Sequence, residues 1–320
     1  MNNNEANRSD DFAIELAGPD QGAALLTFIN KIQPHIQWDD AQLRWQFFES
    51  PAGSARIYTI RSEGEIVSLY CACPKDFSVD GEKRKAFMVQ DVMTDPAYRG
   101  RGFLHRQAAE CVSDLKSNND VGYTFPNKLS EGSFRRRSWA ELMQIPVRMG
   151  ETRSSLMSSG DLASPLAGDL PAEATEIWRN SGLRIGVERS AEYLNWRYRR
   201  PHEAYIRFSI GGGVGILILK LYDSDDCRLL HICDLIVVRE ARKLVKDVLG
   251  FCHGFARMNG AVRITAWLPD GHPYADDFDT LGLQRDRTCD RFAFAIPPQD
   301  AAGFLTASDW HLTQGDSDVY

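Results

Sequence analysis

Apolar residues along the chain recur with two periods. Alternating or continuous apolar runs, which read as β-strands, cover residues 12–16, 56–61, 65–73, 86–94, 121–125 and 143–149. Spacing of three and four, the mark of a helix with one packed face, covers 20–32 and 39–48. In the second of these Leu43, Phe47 and either Trp45 or Phe48 turn inward. A third helix follows residue 102, where Phe103, Leu104, Ala108, Cys111, Val112 and Leu115 share a face with one polar residue, Gln107. A further helical stretch lies near 131–140. Ser62-Glu63-Gly64, Gly81 and Asp95-Pro96 punctuate these elements as turns.

The second half repeats the series. Leu43-Arg44-Trp45-Gln46-Phe47 precedes a strand pair turning at Gly64, and Leu194-Asn195-Trp196-Arg197-Tyr198 precedes one turning at Gly211-Gly212-Gly213. A long strand at 228–238, a helix at 241–258 with Leu244, Val245, Val248, Leu249, Cys252 and Phe255 on one face, and a strand at 262–267 then follow. After them come a segment at 278–283 and a strand at 291–296. One such match is within chance, but a whole ordered series points to a tandem of two related α/β units. The expected division is a polar, Asn-rich tail at 1–11, a first domain at 12–150, a Ser/Gly/Ala/Pro-rich linker at 151–172 and a second domain at 173–320.

Composition narrows the class. The chain has 320 residues, 25% charged and 43% hydrophobic, with a net charge of −7. That is the composition of a water-soluble globular protein, and its weak acidity argues against a nucleic-acid partner. No run of apolar residues is long enough for a membrane span, and the first residues lack the apolar core of a signal peptide. Seven cysteines, an odd number mostly in apolar surroundings, fit buried thiols in a reducing cytoplasmic compartment. Cys71 and Cys73 share one strand face, and no ligand set for a metal accompanies them.

Chemistry concentrates between Asp91 and His105. A strand ends at Asp95-Pro96, and glycines at 100 and 102 let the backbone turn tightly before a helix begins. The first amides of a helix and its positive dipole end attract phosphate. Arg99 and Arg101 can add bidentate contacts. A bare Arg-Gly-Arg-Gly would read as a helix cap with solvated arginines, but the strand before it and the apolar helix after it favour an anion cradle. Asp91, on the strand leading in, is a candidate general base or an ion-paired strand-end carboxylate. Simple alternation places it with Met93 and Asp95 on one side and Gln90, Val92 and Thr94 on the other. Arg135-Arg136-Arg137 reads as a solvated face or a phosphate contact. His35, His105 and His253 show no catalytic pattern. Asp316 and Asp318 read as an exposed acidic end or as an attraction for a cationic amine.

Thr94-Asp-Pro-Ala-Tyr-Arg-Gly-Arg-Gly-Phe103 resembles the pyrophosphate-binding motif of the GNAT acetyltransferase superfamily, Arg/Gln-x-x-Gly-x-Gly/Ala. Arg99 and Gly102 match it, and Leu104 replaces its final small residue. Asn127 and Phe134 through Trp139 continue the resemblance, which is specific over residues 90–139. It implies two GNAT-like units, each a mixed, mostly antiparallel twisted sheet flanked by helices. It also implies acetyl-CoA as co-substrate in a splayed gap between strands 86–94 and 121–125. Met93 and Thr94 would then meet the pantetheine arm, the stretch Arg99, Gly100, Arg101, Gly102, Phe103, Leu104 and His105 the pyrophosphate, and Asn127 the reactive end. The tyrosine that commonly protonates the leaving thiolate in the family is replaced by Phe134. The second unit reads Val237-Val-Arg-Glu-Ala-Arg-Lys-Leu244 at the corresponding turn, without glycines, and is expected not to bind CoA.

Leu194-Asn-Trp-Arg-Tyr-Arg-Arg-Pro201 resembles a segment of GNAT-like proteins from bacterial polysaccharide and amino-sugar pathways. The implied activity is N-acyl transfer from acetyl-CoA to a primary amine, with a nucleotide- or lipid-linked amino sugar among the candidate acceptors. The alternative is a non-catalytic acyl-CoA-binding or scaffold protein in polysaccharide assembly.

Overall fold

The computed structural model describes residues 12–136, 138–153, 162–318 and 320. The expected tail at 1–11, residues 154–161 of the expected linker and Arg137 lie outside these. The strands are β1 (Ile14–Ala17), β2 (Arg56–Ser62), β3 (Glu65–Val79), β4 (Glu82–Thr94), β5 (Val121–Thr124), β6 (Ala140–Gln144), β7 (Val147–Glu151) and β8 (Ala163–Pro165). They continue with β9 (Ile185–Val187), β10 (Ile206–Ile210), β11 (Gly215–Asp223), β12 (Arg228–Val237), β13 (Arg263–Trp267), β14 (Gln284–Arg285) and β15 (Phe292–Ile296). The helices are α1 (Gly22–Ile32), α2 (Asp40–Phe47), α3 (Phe103–Ser117), α4 (Lys128–Arg135), α5 (Ala174–Arg179), α6 (Ala191–Arg197), α7 (Val245–Met258) and α8 (Ala275–Thr280).

Two mixed, mostly antiparallel sheets result. The first runs β1-β2-β3-β4-β5-β15-β6, with β9 added to the far end of β3. The second runs β14-β7-β13-β12-β11-β10-β8. In each, one parallel pair sits at the centre, β4 with β5 and β12 with β13. The apolar faces explain the layers: α1 and α2 bury Leu25, Phe28, Leu43 and Phe47 on one side of the first sheet. On its other side α3 buries Ala108, Cys111 and Leu115 against Tyr58, Tyr70 and Val89. Gln107, the polar residue on that face, is fully buried but satisfied. Its amide donates to the Tyr58 carbonyl at 2.8 Å and accepts from the Ser68 hydroxyl at 2.8 Å.

The halves exchange their last strands. The expected strand at 143–149 is broken at Ile145-Pro146. β6 stays in the first sheet while β7 crosses to pair with β13 and β14. Reciprocally, β15 leaves the second half and lies between β5 and β6. A boundary at 150 therefore falls inside a strand of the second sheet. Within the expected linker, β8 pairs with β10 at the edge of that sheet. The segment at 278–283 is not a strand, since α8 covers Ala275–Thr280.

A pseudo-twofold relation joins the halves at the two Trp motifs. Trp45 and Trp196 stack with centroids 5.1 Å apart and an interplanar angle of 18°. Each indole N–H donates to the other's carbonyl, at 2.8 and 3.2 Å. A core of Phe77, Met88, Tyr123, Trp178, Trp267 and Trp310 fills the space between the sheets.

Candidate functional site

The central strand of the first sheet is bulged. Leu69 pairs with Met93 and Cys71 with Gln90, so the single residue Tyr70 faces two, Asp91 and Val92. Asp91 takes the left-handed conformation, φ 49°, which a short carboxylate side chain tolerates better than most. Such a bulge re-aims side chains, and the simple alternation of residues 90–95 stops there. On the other edge of β4, parallel pairing with β5 ends at Val89–Thr124. Beyond that point lies a cleft of about 500 Å³, bordered by Gln90, Asp91, Val92, Phe125, Asn127 and Phe134 among others.

Thr94 leads from this cleft to the glycine turn. Asp95 caps a short 3-10 turn at Pro96–Tyr98, its carboxylate accepting from the Ala97 amide at 2.9 Å and pairing with Lys31 at 2.7 Å. Gly100 and Gly102 both have positive φ, 79° and 77°, a conformation that favours glycine. A Cβ built on Gly102 meets nothing within 4 Å, so the turn is open rather than plugged. The first intrahelical bond of α3 runs from Arg106 to Gly102. The amides of Phe103 and Leu104 therefore have no carbonyl to reach within the helix.

The expected contact residues occupy different places. Arg99, Gly100, Arg101 and His105 are exposed at the turn, and Gly102 and Leu104 are half-buried. Phe103 is buried under the turn. Arg101 rests its guanidinium over the Tyr98 ring, 5.1 Å away, and Arg99 donates to the Thr94 carbonyl at 3.3 Å. Met93 is buried, and its carbonyl accepts from the Ser68 hydroxyl at 3.2 Å. Neither Met93 nor Thr94 borders the cleft, where Gln90, Asp91 and Val92 stand instead. Asn127 borders it while capping α4, its side chain accepting from the Ser130 amide at 3.0 Å. Arg135 is held by Glu131 and Glu141.

Asp91 is the chemically distinctive group. Burial pushes its pKa up to about 7, and the neighbouring Asp318 carboxylate adds to the rise. The Gln46 amide, donating at 3.1 Å, and Arg200 act in the opposite direction. A carboxyl poised near neutrality can take a proton from an amine and release it again. Phe134 is buried against Trp139 and the exchanged-strand residue Phe294, at centroid distances of 5.3 and 6.4 Å. It also shares an apolar slot with Tyr70, whose buried hydroxyl has no hydrogen-bond partner among the described residues. Gln46 has no place in the sequence reading of the site, and Asp318 enters it only as part of an acidic end that could attract a cationic amine. A polar residue on the buried side of α2 was the available signal for Gln46.

The equivalent place in the second sheet is filled. β12 also carries a bulge, after Ile218–Asp234 pairing. There the Arg189 guanidinium, fully buried, bridges Asp234 at 3.1 Å and Asp316 at 2.7 Å. His311 lies 3.4 Å from Asp234, and His272 lies 3.1 Å from His311. The 3-10 turn Gln314–Asp316 closes the space: Gln314 donates to Thr265 of β13 at 3.0 Å, and Gly315 lies against Tyr198 and the Cys233 carbonyl of β12.

A mixed sheet whose central parallel strands part beside a bulge, with the bulged strand running on to a glycine turn and a helix mouth, is similar to the fold of GNAT-type acetyltransferases. Residues 30–140 match the Acetyltransferase (GNAT) domain family. Solved structures share the fold across both halves. One is a conserved protein of unknown function from Enterococcus faecalis V583, described as a probable N-acyltransferase. It has 11% identity and a TM-score of 0.67, with 89% of this chain and 72% of that one covered. Another is a GCN5-related N-acetyltransferase from Anabaena variabilis ATCC 29413, at 13% identity and a TM-score of 0.66 with the same coverage. A third, from Kribbella flavida, is 12% identical with a TM-score of 0.62, covering 89% and 70%. No curated protein matches the chain. The family match supports an acetyltransferase, and the family generally draws on acetyl-CoA. Among the described residues no helix is long and apolar enough to cross a membrane, and no group of His, Cys, Asp and Glu is placed to hold a metal.

Proposed function

We propose that the chain is an N-acyltransferase moving an acetyl group from acetyl-CoA to a primary amine, an amino sugar being one candidate acceptor. The observation that carries this reading is the placement of Asp91 on a bulge in the wall of an open cleft, on the strand that runs on through Thr94 to the glycine turn and the mouth of α3. The residues present suit a diphosphate-bearing thioester: amides of Phe103 and Leu104 with no carbonyl to reach within the helix, glycines that allow close approach, and Arg99 beside them. When bound, acetyl-CoA supplies an activated carbonyl whose C–S bond is exchanged for a C–N bond to the amine. Asp91 accepts the proton that the amine gives up, and Gln46 orients the carboxylate. The first half is the CoA-binding half in this reading, and the second is a degenerate half without that role.

Phe134 favours a second reading, a non-catalytic acyl-CoA-binding protein in polysaccharide assembly, because it supplies no proton to a leaving thiolate. A thiolate leaves tolerably near neutral pH without such help, so we keep catalysis as the main reading. Release of free thiol from acetyl-CoA in the presence of a panel of primary amines tests it. Amine-dependent release is expected from the wild type. CoA binding without any release across the panel moves the assignment to the binding protein.

A further inference from the structure

The acceptor amine needs a seat beside Asp91, and the C-terminal segment reaches the place where one would lie. Beyond the turn at Gln314–Asp316, the chain leaves the second sheet and brings Asp318 to the border of the cleft that Asp91 lines. Three arginines fix this segment. Arg189 holds the Asp316 carboxylate at 2.7 Å. Arg197 donates to the Gly315 and Ser317 carbonyls, both at 2.8 Å. Arg200 donates to the Asp318 carbonyl at 2.6 Å.

Arg200 acts on Asp91 and Lys75 on Asp318 only from a distance, without a direct ion pair. Among the described residues neither Asp91 nor Asp318 forms an ion pair. Asp91 accepts from Gln46 at 3.1 Å and Asp318 from the Ser317 hydroxyl at 3.4 Å. The cations nearby are directed elsewhere. Arg200 lies over the Trp45 ring at 5.5 Å, and Lys75 over the Trp196 ring at 4.2 Å. Asp318 raises the proton affinity of Asp91, and a cation seated between two carboxylates relieves their repulsion.

A second, independent feature points the same way. A narrow pocket adjoins the cleft, sharing Met88, Gln90 and Asp318 with it. Its wall includes Asp316, only 4% exposed, whose Oδ1 has no hydrogen-bond partner among the described residues. A buried acceptor without a donor is costly unless a ligand supplies one, and an ammonium group carries three N–H donors.

We propose that Asp318, carried by the segment that the second half anchors, forms with Asp91 the seat for the protonated amine of the acceptor. The acceptor class is then an aliphatic, cationic primary amine. Only the later step, in which Asp91 takes the proton, rests on the acyl-transfer reading. The seat can be tested by binding alone.

The test measures thermal stabilisation of the full chain, saturated with CoA, by ethanolamine, glucosamine and butane-1,4-diamine. Ethylene glycol, glucose and butane-1,4-diol serve as uncharged counterparts. Binding of at least one amine, in preference to its hydroxyl counterpart, is expected. Asp318→Asn is expected to weaken that binding about tenfold or more, Asp318→Glu to restore much of it, and the CoA shift to persist in both. Equal binding of amines and diols, no binding by any amine, or wild-type amine affinity in Asp318→Asn overturns the proposal. If amines bind through Asp318 but no thiol is released, the seat stands and acyl transfer falls. If thiol release occurs with an unchanged amine KM in Asp318→Asn, the reverse holds.

Discussion

The two halves place the same bulged central strand beside the same parallel neighbour, yet one gap is open and the other is filled. In the first half, glycines at 100 and 102 turn the chain with nothing above Gly102, and the cleft beside Asp91 stays clear. In the second half the corresponding segment is a 3-10 turn, Arg239–Leu244. There Arg189, His311 and the Gln314–Asp316 turn occupy the space beside Asp234. The fold thus holds two gaps of one design, and the side chains around each decide which is open. The filled gap keeps a use, because it anchors the segment that carries Asp318 to the open one.

The largest effect is expected from cutting the halves apart. Fragments 12–150 and 151–320 each lose the strand that completes their sheet, so neither is expected to be a stable monomer, whereas co-expression should recover a paired complex. Size-exclusion chromatography of each fragment and of the mixture measures this. A stable monomeric 12–150 fragment would show that β7 can replace β15 in the first sheet and that the exchange is dispensable.

Next in size is the filled gap. Arg189→Met leaves Asp234 and Asp316 buried without their cation. A loss of about 3–5 kcal/mol is expected in urea denaturation. An unchanged midpoint would mean that the buried charges are compensated some other way.

The open gap is probed by Asp91→Asn, expected to lower kcat/KM about a hundredfold or more. Asp91 has its pKa raised to about 7, and the base must be deprotonated to act. Wild-type kcat/KM should therefore rise as pH increases through about 7, and the variant should lose that limb. An acid limb retained in Asp91→Asn assigns the base elsewhere.

Much of this was legible in the sequence because it was periodic. The helix behind the glycine turn, the two Trp motifs and the order of elements all followed from spacing. The strand exchange was not legible, since an apolar run predicts a strand without naming its neighbour, and 143–149 reads the same in either sheet. β3 runs on to Val79 through Lys75 and Asp76, polar residues that break the strand pattern. Lys75 is nonetheless buried between the halves. The bulge at Asp91 was hidden for a related reason, as an extra residue in one strand shows only in the pairing. Asp318 is separated from Asp91 by most of the chain, and an acidic end normally reads as a solvated one.

The contrast between the halves is tested most directly by calorimetric titration of the whole chain with CoA. One site per chain is expected, lost in Gly102→Glu, whose carboxylate would stand in the open helix mouth. Two sites per chain, or full binding retained by Gly102→Glu, would contradict it.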